Sequence, residues 1–187
     1  AHSAFAELNT PLAVKILSET VLHKSDIGGV HLGVSDLAAL DAAFDALRTS
    51  GAEQVLIEEM APAGVDLIVG ARRDPVFGPI VLLGIGGTAA EAIGDVVIRS
   101  APLSIETASD MPDELAAREL LRGWRGGPVA DIDDLAACIT GLGGMLAANE
   151  WIDEIEVNPL RITAEGAVAL DAVLVTRKED NGVDNHN

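Results

Sequence analysis

Three groups of residues in this chain have the types and spacing to do chemistry. The first lies in KILSETVLHKSDIGGVHLGV, Lys15 to Val34: a lysine inside an apolar run, a loop with His23, Lys24, Ser25 and Asp26, then the Gly28-Gly29 pair. Two ammonium groups, a hydroxyl and consecutive glycine amides suit a ligand with several negative oxygens, such as a nucleoside triphosphate. A polar surface loop between two strands is the alternative these residues leave open. The second is Glu156-Val157-Asn158-Pro159 together with Asp171. In a strand Glu156 and Asn158 share a face, and a hairpin returning past Pro159 can bring Asp171 alongside. One amide oxygen, one carboxylate and bridging phosphates are what a partly hydrated Mg²⁺ accepts. A structural hydrogen bond is the other role open to a lone Asp among Val168, Ala169, Leu170, Ala172 and Val173. The third is Glu58-Glu59-Met60 with Asp66, where backbone groups could meet an adenine edge and a carboxylate the ribose hydroxyls. Solvated acids at a strand end are the plainer reading.

The elements that must position these groups follow from periodicity. Leu12 to Leu17 reads as a buried strand in which Lys15 must snorkel or meet a charge. Val30 to Val34 is a second strand, and Ser35 or Asp36 caps a helix to about Arg48, with Gly51 beyond it. Gln54 to Met60, Val65 to Gly70 and Ile80 to Leu83 are strands joined by short turns, with Gly84-Ile85-Gly86-Gly87 as a glycine loop. Asp95 to Ser100 adds another. One helix is expected from Ser109 or Asp110 to about Arg122, and a second from Asp131 to Ala148. Between them GWRGGP, Gly123 to Pro128, is a flexible connector. The chain closes with Ile152 to Asn158, a turn at Pro159, Arg161 to Thr163 and a last strand, Ala167 to Val175. Ala1 to Thr10 receives no role, and residues 176–187 read as a polar, disordered tail.

Composition narrows the partners. Thirty acidic against twelve basic residues give a formal charge of -18, which repels nucleic-acid backbones and anionic membranes. Against that background Lys15, Lys24, Arg72, Arg73 and Arg99 are positions where an anion could collect cations. Cys138, the single cysteine, excludes an internal disulfide and reads as a small buried hydrophobe. No run reaches the ~20 apolar residues of a membrane span and no leader opens the chain, so a cytoplasmic location is expected.

The blocks KILSETVLHKSDIGGV, VLIEEMAPAGVDLIVGARRDPVFGPIVLLGIGG and IDEIEVNPLRIT with VALDAVL resemble the ATP-grasp domain of the nucleoside-diphosphate-forming acyl-CoA synthetases, relatives of the ATP-binding subunit of succinyl-CoA synthetase. The resemblance covers Pro11 to Val175. It implies an α+β ATP-grasp fold with two lobes of mainly antiparallel sheet and packed helices: a truncated first lobe over 1–58 and a second over 59–175, with ATP or ADP and Mg²⁺ between them. By position it implies that Lys15 contacts the nucleotide phosphates and that Gly28 and Gly29 close over them. Glu58, Glu59 and Met60 fall on the adenine-binding connection. Asp66 takes the place of the ribose-binding carboxylate, usually Glu, and Arg72 lies where a basic residue approaches the phosphates. Asn158 and Asp171 match the magnesium ligands, and His23 matches a phosphoryl-carrying histidine.

The function so implied is the nucleotide half of an ADP-forming acid-CoA ligase, working with a CoA-binding or ligase-like domain or subunit. The apolar composition also leaves room for a homo-oligomeric interface. The rival is a non-catalytic, ligand-sensing ATP-grasp-like domain that regulates a protein acetyltransferase.

Overall fold

The computed structural model describes residues 2–18, 27–87 and 94–177. The chain divides into two compact units, Ala1–Ala61 and Pro62–Asn187.

The first unit contains α1 (His2–Glu7), β1 (Leu12–Leu17), β2 (Val30–Val34), α2 (Leu37–Thr49) and β3 (Gln54–Glu59). Its sheet has the order β2-β1-β3, antiparallel throughout. Alternation sends Leu12, Val14 and Ile16 of β1 to one face, where they pack with Val34, Leu40, Ala43 and Leu47. Each such burial contributes on the order of 1.5–3 kcal/mol. Ala13, Lys15 and Leu17 therefore take the face away from α2. Asp36 caps α2, its Oδ1 accepting from the Ala39 N–H at 2.8 Å. The Met60 N–H donates to the Pro11 carbonyl at 3.0 Å, which keeps the residues after β3 with this unit.

The second unit contains β4 (Val65–Asp74), β5 (Gly78–Ile85), β6 (Val96–Ser100), α3 (Ile105–Glu114), α4 (Ile132–Ala148), β7 (Ile152–Thr163), β8 (Gly166–Ala169) and β9 (Ala172–Thr176). Its sheet runs β6-β5-β4-β7-β8, with β9 also on β7, all antiparallel. Leu67, Val69, Ala71, Val81, Leu83 and Ile155 form the helix-covered face with Met111, Leu135, Ile139 and Leu146. Strand alternation puts Asp66, Ile68, Gly70, Arg72, Glu154, Glu156 and Arg161 on the opposite face.

Five of the expected elements differ from the sequence expectation, each for an identifiable reason. β4 and β5 are longer, because the Asp74 Oδ1 accepts from the N–H groups of Val76 and Phe77 at 2.8 and 2.9 Å. That closes a tight hairpin and leaves Arg72, Arg73, Gly84 and Ile85 in the ladder. α3 starts earlier, at the Ser104 cap, which accepts from the Thr107 N–H. It stops at Glu114 because the Asp95 carboxylate takes the N–H groups of Ala116 and Ala117 at 2.9 and 2.8 Å; short 3₁₀ turns follow at Arg118–Leu121 and Trp124–Gly126.

β7 does not stop at Pro159. Leu67 pairs with Leu160 and Val69 with Val157, so Ile68 alone faces Asn158 and Pro159. A bulge of this kind absorbs a proline that has no N–H for the ladder. On the other side of β7 the expected last strand is broken at Leu170 and Asp171 into β8 and β9. Thr176 still belongs to β9, and the Arg177 N–H donates to the Trp151 carbonyl at 2.8 Å.

Candidate functional site

The bulge in β7 organises the site in the second unit. The Asn158 N–H donates to the Asp171 carbonyl at 3.0 Å, and the Leu170 N–H donates to the Pro159 carbonyl at 2.9 Å. Two residues thirteen positions apart in sequence, on the order of 40 Å of extended chain, thus become neighbours. The Asn158 Oδ1 accepts from the Gly87 N–H at 3.2 Å. Gly86 in turn donates its N–H to the Asp66 carbonyl at 2.9 Å. A Cβ on Gly86 would stand 2.3 Å from the Leu67 carbonyl carbon and oxygen, so only glycine permits that approach. Asp66 itself is held by a two-pronged ion pair, Arg161 Nε to Oδ1 at 2.7 Å and Nη2 to Oδ2 at 2.9 Å. This hydrogen bonding, and the nearby charge of Asp66, raise the Arg161 pKa against the opposing effect of burial. Asp66, Gly87, Asn158, Arg161 and Asp171 are therefore one connected cluster.

Asn158 and Asp171 offer hard oxygen donors. The Asp171 Oδ1 accepts from the Ala172 N–H at 3.0 Å, which orients that carboxylate. Among the described residues no group of three His, Cys, Asp or Glu side chains is placed to hold a metal ion. The donor set does not form an all-protein cage. It fits a cation such as Mg²⁺ that fills its octahedron with phosphate oxygens and water.

The basic residues divide by role. Arg72 is on the face of Asp66 but four residues beyond Ile68, about 13 Å along the strand; it is 63% exposed and 4.0 Å from Asp74. Arg73 and Arg99, expected as anion collectors, are taken up by the fold. Arg73 donates to the carbonyls of Leu146, Asn149 and Ile152 at 2.5, 2.8 and 2.8 Å, closing the C-terminal end of α4. Arg99 pairs with Glu114.

In the first unit Lys15 lies between Val30 and Leu56 on the central strand, and its Nζ is 2.5 Å from the Glu58 Oε2. The lysine has met a charge on its own face, since Glu58 pairs with Ala13. Glu59 points to the other face, where its Oε1 accepts from the Asn9 N–H and Nδ2 at 2.8 Å each. Gly28 has φ +68°, a left-handed conformation that favours glycine, and the Gly29 carbonyl accepts from the Ile16 N–H at 2.8 Å. His23, Lys24, Ser25 and Asp26 lie outside the described residues.

Sequence reasoning missed Arg161, Gly86 and Gly87. Arg161 follows Asn158 at the i+3 position, and no local signal marks it, because its opposite charge across the sheet, Asp66, is set by the β4–β7 register. Cys138 is half-buried, and burial, then the Asp134 charge, pushes its thiol pKa up, away from nucleophilic use. Among the described residues no helix is long and apolar enough to cross a membrane.

Comparison with known proteins bears on the family and the fold. A family model described as ATP-grasp domain matches residues 1–176. Acetate--CoA ligase [ADP-forming] I of Archaeoglobus fulgidus is 35% identical over 176 residues, 90% of this chain but 26% of that protein. The subunit beta of Acetate--CoA ligase [ADP-forming] I of Pyrococcus furiosus is 34% identical over 177 residues, 90% of this chain and 76% of the subunit. Among solved structures, the dinucleotide forming acetyl-coenzyme A synthetase 1 of Ca. Korarchaeum cryptofilum, in complex with coenzyme A and Ca-AMPCP, superposes with a TM-score of 0.87. It has 35% identity, over 94% of this chain and 80% of that one. A second structure of that synthetase, with Mg-AMPPCP and a phosphohistidine segment pointing towards the nucleotide binding site, gives a TM-score of 0.81.

Proposed function

Because the chain belongs to the ATP-grasp domain family found in the ADP-forming acyl-CoA synthetases, we propose that it is the nucleotide-binding part of an acid-CoA ligase, passing a phosphoryl group between a phosphohistidine and ADP. The observation that carries this reading is the β7 bulge, which sets Asn158 beside Asp171 next to the Gly86-Gly87 approach. The chain spans about a quarter of the Archaeoglobus ligase. We assign the acyl and CoA steps to a companion CoA-binding domain or subunit, a reading supported by the relative that is the subunit beta of a ligase.

In this scheme the acyl phosphate gives its phosphoryl group to the His23 imidazole. The O–P bond to the acyl group breaks, the carboxylate leaves, and a P–N bond forms. Attack by the terminal oxygen of ADP on that phosphorus then breaks the P–N bond and yields ATP and free histidine. Lys15 offsets phosphate charge, with Glu58 holding its ammonium group until the nucleotide takes over. Gly28 and Gly29 supply backbone N–H groups to the phosphates. Glu58, Glu59 and Met60 border the adenine, Asp66 accepts from the ribose hydroxyls, and Arg72 attends the phosphates from further along β4. Asn158 and Asp171 hold Mg²⁺, which when bound neutralises charge on the transferring group.

The test is transfer of label from ATP in the presence of Mg²⁺ and the companion CoA-binding domain. Acid-labile, base-stable label on the protein, lost in His23→Ala, is expected. Nucleotide binding with no label and no ATP–ADP exchange would contradict the ligase reading and leave a ligand-sensing, regulatory domain.

A further inference from the structure

The turn between β4 and β5 carries apolar side chains where polar ones would serve the fold as well. Val76 and Phe77 are 80% and 75% exposed, more than any other large apolar residue among the described residues. Asn, Asp, Gly and Ser are the usual occupants of such a tip, because they make the turn and stay wetted. The chain has three phenylalanines, and the other two, Phe5 and Phe44, pack against the core of the first unit. The tip is also held in one shape. The Asp74 Oδ1 accepts from the Val76 and Phe77 N–H groups at 2.8 and 2.9 Å, and Gly78 closes the turn at φ +74°. The ladder is paired as far as Asp74 opposite Gly78. One residue below, Arg73 ties β4 to the end of α4 through three carbonyls. Val76 and Phe77 therefore stand on a rigid base, and little ordering remains to be lost when something covers them.

An aromatic ring beside a branched aliphatic, fixed on a rigid projection, has the form of an anchor that fills a pocket in a partner. Charge narrows what that pocket is. The charged residues in the ladder rows nearest the tip, Arg72, Arg73, Asp74 and Glu154, cancel, in a chain whose total is -18. Contact there is apolar and calls for an apolar pocket, not a basic one. A second copy of the chain would bring its own charge of -18. Two copies meeting tip to tip would also cover only two side chains each, against the ~800 Å² per partner of a stable contact. A subunit works against another subunit, and 76% of the Pyrococcus subunit beta corresponds to this chain. Most of the surface available to such a contact is thus surface of this kind. We propose that Val76 and Phe77, at the β4–β5 tip, dock in an apolar pocket of the companion CoA-binding domain. The inference rests on the acid-CoA ligase reading and deepens it by giving the companion a place to attach.

The test is a calorimetric titration of the companion CoA-binding domain, as a separate polypeptide, into the parent, Val76→Ser and Phe77→Ser. Serine suits a turn and both side chains are exposed, so Tm is expected to be unchanged. Affinity for the companion should fall about tenfold or more in Phe77→Ser. An apolar anchor loses as much at about 0.5 M salt as at about 0.1 M. ADP affinity should match the parent's. Leu37→Ser, which removes an exposed apolar side chain from α2, should leave the companion's affinity alone. Unaltered affinity in Phe77→Ser, or an equal loss in Leu37→Ser, would overturn the docking role and leave the ligase reading standing. So would a parent dimer, seen by sedimentation, that Phe77→Ser converts to monomer, because the tip would then meet a second copy. A lowered Tm in Phe77→Ser would assign Phe77 to the fold and overturn the role as well. A parent that does not bind the companion at all would overturn the companion reading and the tip together.

Discussion

The N–H of Asn158 is bonded to the carbonyl of Asp171 at 3.0 Å, so the two side chains read as metal ligands leave the backbone side by side. Their nearness is built into the β7 bulge.

Metal dependence follows from that pairing. Nucleotide affinity should be about tenfold or more higher with Mg²⁺ than with EDTA. Asp171→Asn should erase most of that difference with little change in Tm, because the backbone bond from Asn158 survives the substitution. Equal Mg²⁺ dependence in parent and variant, by calorimetry, would remove Asp171 from the site.

The Asp66–Arg161 pair should stabilise the second unit. Both side chains are under a third exposed, 30% and 22%, so solvent screens them less than a surface pair. Arg161→Met should cost about 1–3 kcal/mol in urea unfolding. A double-mutant cycle with Asp66→Asn should give a coupling of the same sign, and a coupling near zero would mean the pair does not act as a unit.

Arg73 is expected to be a stability residue. Its three carbonyl bonds close the end of α4, and Arg73→Lys should destabilise by about 2–4 kcal/mol, since an ammonium cannot reproduce the fork. Nucleotide affinity measured below the unfolding transition should be unmoved.

These arginines also mark how far the sequence could be read. The meeting of Lys15 with a charge and the nearness of Asn158 to Asp171 were legible because each is a polar residue in an apolar run, and burial costs force such groups into pairs. Arg161 was not, because its partner lies 95 residues earlier and is fixed only by the β4–β7 register. Arg73 was misread because adjacent arginines on one strand face opposite sides, and which side meets a helix end is a tertiary fact. The start of α3 was ambiguous since Ser104, Ser109 and Asp110 are all good caps. The Asp95 contacts that end it come from a different strand.

The β4–β5 hairpin should respond to acid. The N–H of Phe77, then that of Val76, holds the Asp74 carboxyl below the usual carboxylate range, with burial opposing. A depressed folded pKa contributes stability that is present above the unfolded value, about 3.9, and is lost as pH falls through the folded value. The stability difference between the parent and Asp74→Asn should therefore shrink as pH is lowered below about 4. A difference constant with pH would contradict this account of the turn.

The most direct test of the whole account is a calorimetric titration of the purified protein with ATP and Mg²⁺, repeated on Lys15→Met. Saturable one-to-one binding is predicted, weakened about tenfold or more when the ammonium group is removed. An absence of heat with any purine nucleotide, or identical affinity in the two proteins, would contradict it.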